Sequence, residues 1–276
     1  MKFGTKQLDL SEVQIMGILN VTPDSFSDGG NFNNIDHAIK QVQTMVNDGA
    51  TIIDIGGEST RPGAVDVELQ EELDRVIPVI EAITERFDTV ISIDTSKAEV
   101  MQAAIVSGAG LINDVRALQN EGCLDVVAKS DLPVCLMHMQ GMPRTMQSAP
   151  HYIDVVQDVM RFFQQRIQVC EQAGIKKQRI ILDPGYGFGK TLEQNYQLLA
   201  NQSQLLQVGL PILAGLSRKS MIGNLLNCSV EQRLAGSLSA AVLAALNGAK
   251  IIRVHDVKET VDAVKVFNAM VAQINN

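Results

Sequence analysis

The sequence has no tryptophan, and aromatic residues fill only 4% of its 276 positions although 46% are hydrophobic. The core must therefore be aliphatic, which suits layered Val/Ile/Leu strands covered by Ala-rich helices. Cysteine is scarce. Cys123, Cys135, Cys170 and Cys228 form no CxxC pair, which argues against a disulfide framework or a zinc knuckle and for reduced thiols. Positive charge is also in deficit. Lys and Arg number 23 against 31 Asp and Glu, a net charge of −8, which speaks against a surface that coats nucleic acid or an anionic membrane. It leaves room for a small local anion site. No run approaches about 18 consecutive apolar residues, the length a membrane-spanning helix needs. The first residues, Met1 to Gln7, lack the apolar core of a signal segment, so a cytoplasmic protein is expected.

A GxGxxG turn is missing as well, and with it the main support for an open, doubly wound dinucleotide-binding sheet. What the chain does have is a beat. Short apolar runs begin near Ile15, Thr51, Val90, Leu111, Val134, Ile180, Ile212 and Ile251, eight in all, separated by stretches of helical period such as Asp36–Asn47 and Leu69–Arg86. Eight such units in a chain of this length predict an α/β (β/α)₈ TIM barrel, one domain over residues 1–276. Residues 3–13 precede the first run and are expected to close the bottom of the barrel.

Each run ends in polar residues that a core would not choose. They are Asn20; Asp54 and Glu58; Asp94; Asn113 and Asp114; His138; Asp183; Ser217, Arg218 and Lys219; and Arg253, His255 and Asp256. One polar residue after a strand is usually a cap or a turn former. Polar residues after all eight predict an active site at the mouth where parallel barrel strands end. Three groups there suggest chemistry. The loops Gly17–Gly30 and Gly56–Gly63 are rich in Gly, Pro, Ser and Asp and read as lids, with Arg61 offering a fork for phosphate. The segment Asp183–Lys190 alternates three glycines in the manner of a phosphate cradle without P-loop spacing. It starts from a carboxylate that must be paired or hydrogen-bonded, for instance by adjacent N–H groups of a heterocycle. Arg253 and His255, two apart on a strand, point to one side and suggest an anion clamp.

Several blocks closely resemble the signatures of the dihydropteroate synthase family, the sulfonamide target of folate biosynthesis. They are MGILNVTPDSFSDG from Met16, GATIIDIGGESTRPG from Gly49, SIDTSK from Ser92, INDV from Ile112, MHMQG from Met137, Asp183 to Lys190, GLSRKS from Gly215 and IRVHD from Ile252. They cover all eight strand ends; the least familiar stretch is Asn31 to Asp36. The resemblance implies a transferase that joins a dihydropterin methyl diphosphate to 4-aminobenzoate and expels diphosphate. Asp94, Asn113, Asp183 and Lys219 would hold the pterin, with Phe188 among the substrate-binding residues. Asn20, Thr60, Arg61, Arg253 and His255 would meet the diphosphate. Asn20 would be the protein ligand of a Mg²⁺ cofactor. Phe26, Thr60, Pro62, Ser217 and Lys219 would form the aminobenzoate pocket. Asp94, Lys219, Arg253 and His255 would be the catalytic residues of a dissociative reaction. A homodimer is implied, with small-molecule substrates as the only other partners.

Two other readings stand beside this one. Lys219 could be the nucleophile of a Schiff-base aldolase barrel, although its place beside Arg218 suggests water and a like charge, and lysine nucleophiles are usually desolvated or deprotonated by neighbours. The chain could also be a non-catalytic or methyl-transfer pterin-binding barrel. Arg61, Arg253, His255 and the Ser217–Ser220 block favour the synthase reading.

Overall fold

The computed structural model describes residues 1–22, 31–59, 66–141 and 150–274. A two-stranded antiparallel hairpin, β1 (Lys2–Phe3) and β2 (Lys6–Gln7), leads into eight parallel strands. These are β3 (Gln14–Asn20), β4 (Ile52–Gly56), β5 (Val90–Asp94), β6 (Leu111–Asp114), β7 (Val134–Met137), β8 (Ile180–Asp183), β9 (Ile212–Ala214) and β10 (Ala249–Val254). They close in the order β10-β3-β4-β5-β6-β7-β8-β9, so the predicted TIM barrel is the observed fold. The helices are α1 (Asn31–Asn47), α2 (Leu69–Arg86), α3 (Ala98–Val106), α4 (Cys123–Lys129), α5 (Val155–Gln172), α6 (Leu192–Ala200), α7 (Ser220–Leu226), α8 (Leu234–Leu246) and α9 (Val257–Ile274). Between β9 and β10 the chain inserts two helices, α7 and α8, where the other crossovers among the described residues use one.

Strand alternation sorts the side chains. Met16, Ile52, Val90, Leu111, Cys135, Ile181, Leu213 and Ile251, one from each strand, form a buried layer inside the barrel, and Phe3 of the hairpin packs into it from below. The expected bottom plug is thus a hairpin carrying one buried aromatic ring. Each fully buried side chain of this kind contributes roughly 1.5–3 kcal/mol. The intervening positions, such as Ile53, Ile55, Ile91, Ile93 and Ile112, face the helices in a second, larger core. Two residues beyond the apolar layer, five of the eight inward positions are polar: Asp54, Ser92, Asn113, Asp183 and Arg253. The lower barrel is therefore sealed and the upper barrel is charged.

Candidate active site

Arg253 occupies the middle of the polar layer. It reaches Asp54 Oδ2 through Nε at 2.6 Å and Asp94 Oδ2 through Nη2 at 2.9 Å. Asn113 donates from Nδ2 to the same Asp54 oxygen at 3.1 Å. Four strands, β4, β5, β6 and β10, are thereby tied across the barrel interior. Three polar atoms there are buried without a protein partner: Asp54 Oδ1, Ser92 Oγ and Asp94 Oδ1. Burial raises the Asp94 carboxyl to about 7; Arg253 opposes the rise, and Asp54 and Asp114 add to it. The sequence suggested Arg253 as an anion clamp and gave Asp54 no role; the structure places both of these carboxylates on the guanidinium.

Asp183 closes the other side. It is 6% exposed, its Oδ1 accepts the Gly185 N–H at 2.7 Å, and burial raises its pKa against the pull of Lys219. The hydrogen bond expected for this carboxylate is partly met within its own loop. That loop is not a phosphate cradle in this structure. Lys190, 3% exposed, turns back and donates to the carbonyls of Gly185 at 2.8 Å and Phe188 at 3.0 Å. The buried Asn195 of α6 accepts the Gly187 N–H at 2.7 Å. A capping box between Thr191 and Gln194 then starts α6. Gly185 and Gly189 both have positive φ, and a Cβ at either would run into the backbone carbonyl of His138 or Gln140. These glycines let the loop press against the end of β7.

Lys219 requires a correction to the argument from sequence, which placed it among water and like charge. Arg218 adopts a left-handed φ of 57° and turns outward, where Asp256 holds it from Nε at 2.9 Å and Nη2 at 2.5 Å. Lys219 turns the other way, donates to the Tyr186 carbonyl, and lies 4.5 Å from the centre of the Phe188 ring. Burial draws its amine down to about 8, with Asp183 opposing and Arg253 assisting. It is the N-cap residue of α7. Ser217 Oγ lies 3.1 Å from His255 Nδ1 and also accepts the His255 backbone N–H at 3.2 Å. Asn20 and His255 border one cavity of about 460 Å³ together with Lys40, Gln41 and Thr44 of α1.

Other strand-end residues serve the scaffold. Asp114 accepts from Ser96 and from the N–H groups of Arg116 and Leu118, and so shapes its own turn. His138 is buried, packs edge-on against Phe162 at 5.0 Å, and burial holds its imidazole well below its usual pKa. Glu58 pairs with Lys97, which also pairs with the fully buried Glu72 of α2. Phe26, Thr60, Arg61 and Pro62 lie outside the described residues, as do most of the two lids assigned from sequence.

The mouth therefore gathers Asp94, Asn113, Asp183, Lys219, Phe188 and Arg253 around one polar interior, with Ser217, His255 and Asn20 on its rim. Comparison with known proteins shows what the whole chain is similar to. Residues 16–255 match the family model described as "Pterin binding enzyme". Dihydropteroate synthase of Escherichia coli (strain K12) is 58% identical over 269 residues, covering 98% of this chain and 95% of the relative. A crystal structure of Yersinia pestis dihydropteroate synthase with a sulfonamide drug complex is similar at a TM-score of 0.94 and 57% identity, covering 99% of both chains. One of Xanthomonas albilineans dihydropteroate synthase in complex with 7,8-dihydropteroate is similar at a TM-score of 0.88 and 49% identity, covering 96% of both.

Proposed function

The chain belongs to the dihydropteroate synthase family of pterin-binding enzymes, and on that premise we propose how its residues divide the work of the reaction. The enzyme is a transferase of folate biosynthesis and a sulfonamide target. It condenses (7,8-dihydropterin-6-yl)methyl diphosphate with 4-aminobenzoate to give 7,8-dihydropteroate and diphosphate. This sets aside the aldolase and non-catalytic readings.

The observation that supports the residue assignment is the polar layer at the barrel mouth. Asp183 has one oxygen committed to Gly185 and the other for pterin N–H donors. Asn113, with its Nδ2 taken by Asp54, presents Oδ1 and its second N–H to the ring. Phe188, with Lys219 beside it, supplies an apolar face. In the dissociative path, the C–O bond to the diphosphate breaks first and its electron pair leaves with the diphosphate. The Asp94 carboxylate then stabilises the pterin-methylene cation. The amine lone pair of 4-aminobenzoate forms the C–N bond, and the amine proton passes to solvent. An aryl amine attacking a cation needs no strong base, and none is assigned. Arg253 and His255, with Thr60 and Arg61, hold the diphosphate; Phe26, Pro62 and Ser217 complete the aminobenzoate pocket.

The donor set fits a Mg²⁺ carried by the diphosphate. Among the described residues no three His, Cys, Asp or Glu converge as a metal site, whereas Asn20 offers one amide oxygen beside His255, and Mg²⁺ commonly takes one or two protein ligands plus phosphate oxygens and water. When bound, the ion neutralises charge developing on the leaving diphosphate. Turnover assayed with both substrates should require a divalent cation. In Asn20→Ala, the enhancement of pyrophosphate binding by Mg²⁺, measured by calorimetry, should shrink about tenfold, the scale of a lost ligand-shell partner. An unchanged enhancement would remove Asn20 from the metal.

The homodimer is supported by apolar side chains on three helices that pack in sequence. Leu225 and Leu226 on α7, Leu243 and Leu246 on α8, and Val266 and Met270 on α9 are each 47–74% exposed; such clusters mark interfaces. Sedimentation should give twice the 30.0 kDa chain mass, and Leu243→Glu with Leu246→Glu should give the monomer. A monomeric parent would end this assignment. Cytoplasmic residence is supported by four unpaired cysteines, three of them buried. No helix among the described residues is long and apolar enough to cross a membrane.

A further inference from the structure

We infer that Asp54 is a positioning residue for both substrate halves: it sets the amide of Asn113 toward the pterin and the guanidinium of Arg253 toward the diphosphate. The inference rests on the assignment of those two residues given above.

Asp54 is completely buried on β4. A carboxylate there is costly without a partner, and its Oδ2 has two: Arg253 Nε at 2.6 Å and Asn113 Nδ2 at 3.1 Å. Its neighbours explain why both contacts carry information. An amide can flip, exchanging its oxygen for its nitrogen at little steric cost. A carboxylate only accepts, so Asp54 forces the Asn113 nitrogen inward. The Asn113 oxygen is then the acceptor that the ligand meets. Without Asp54 both orientations become available, and half of them turn the wrong atom to the ring. Arg253 is fixed by the same logic. Nε goes to Asp54 and Nη2 to Asp94 on the adjacent strand, and strands β4 and β5 are in register at this level, with Asp54 opposite Ser92 and Gly56 opposite Asp94. Two carboxylates on neighbouring strands define the plane of the guanidinium. Asp54 itself sits one inward step below the rim residues, so its influence passes through Asn113 and Arg253.

The test is a double-mutant cycle on the full-length protein, read by calorimetry with two probes. They are 6-hydroxymethyl-7,8-dihydropterin, which lacks the diphosphate, and pyrophosphate with Mg²⁺. Asp54→Asn should weaken both probes about tenfold or more, the scale of a misplaced binding group. Asn113→Ala should weaken the pterin alone. In Asp54→Asn/Asn113→Ala, the pterin loss should equal that of Asn113→Ala within twofold, because Asp54 has nothing left to orient there, while the pyrophosphate loss persists. Coupling of this kind is what a general packing defect does not produce. Full additivity for the pterin, with thermal unfolding unchanged, overturns the positioning role. An undiminished pterin affinity in Asn113→Ala overturns the assignment of Asn113 beneath it, and the Asn113 half of the inference falls with it. Should Asp54→Asn not fold, Asp54→Asn/Arg253→Met removes the Asp54 carboxylate together with the cation it bonds and leaves Asp94, whose carboxyl burial already raises, as the remaining acid. Compared with Arg253→Met alone, it should still show the tenfold pterin loss; no difference between the two overturns the role.

Discussion

Asp183→Asn should reduce affinity for 6-hydroxymethyl-7,8-dihydropterin about tenfold or more, the consequence of the ~1–3 kcal/mol that attends a buried donor left facing a donor. The loop of Asp183 makes the direction of the effect unambiguous. Gly185 N–H already points at Asp183 Oδ1 at 2.7 Å. An asparagine would have to place its oxygen there, because its NH₂ would otherwise confront that N–H. Its nitrogen would then face the pterin. The wrong orientation is locked by the protein before the ligand arrives. The charge change adds a second effect of the same sign. Asp183 is the chief group raising the Lys219 amine against burial, so its loss lowers the Lys219 pKa further and weakens the hold of that amine on its proton. Calorimetry with the pterin, beside thermal unfolding of the same samples, separates lost recognition from lost folding. A folded variant with parental affinity would remove Asp183 from the pterin site.

The barrel was legible in the sequence because its signal is repeated. All eight apolar runs coincide with strands, and Leu69–Arg86, read as helical from its period, is α2 as observed. The polar mouth was legible for the same reason. What the sequence blurred was which polar residues share the interior. Asn113 and Asp114 both end a strand, yet Asn113 bonds Asp54 inside the barrel and Asp114 caps a turn outside it. Strand parity could have separated them. Counting in twos from the apolar layer, Leu111 leads to Asn113, and Ile52 leads to Asp54. The same count would have marked Asp54 as a member of the site. The orientation of Lys219 was beyond that rule. It depends on a left-handed backbone at Arg218 and on Asp256 drawing the neighbouring guanidinium away, both set by contacts across the chain. The inward turn of Lys190 likewise follows from the crowding of Gly185 and Gly189 against β7, which no local pattern announces.

Arg253→Ala should lower kcat/KM by about 10²–10³, the range for losing one preorganised group that stabilises developing charge, and should do so in a pH-dependent way that identifies its partners. Asp54 is fully buried and Asp94 is 8% exposed; both bond Arg253. Removing the cation leaves two carboxylates facing each other in a dry interior, and breaking such a pair from one side typically costs about 3–5 kcal/mol. In the parent, Asp94 already titrates at about 7 because burial outweighs Arg253. An acid whose folded pKa exceeds its unfolded pKa binds more protons when folded throughout the interval between them. Stability therefore falls as pH rises across that interval, from about 4 to about 7 in the parent. Without Arg253, whose guanidinium opposes the rise in Asp94, the folded pKa climbs further, and the interval widens toward alkaline pH. Urea unfolding at pH 5 and pH 8 should thus show a small deficit for Arg253→Ala at pH 5 and a larger one at pH 8. The ligands should divide as well. Pyrophosphate affinity should drop more than that of the diphosphate-free pterin, whose partners Asp183 and Asn113 stay in place. A deficit independent of pH would mean that Asp94 does not depend on Arg253 for its charge. Equal losses for the two ligands would mean that Arg253 serves the ring as much as the leaving group.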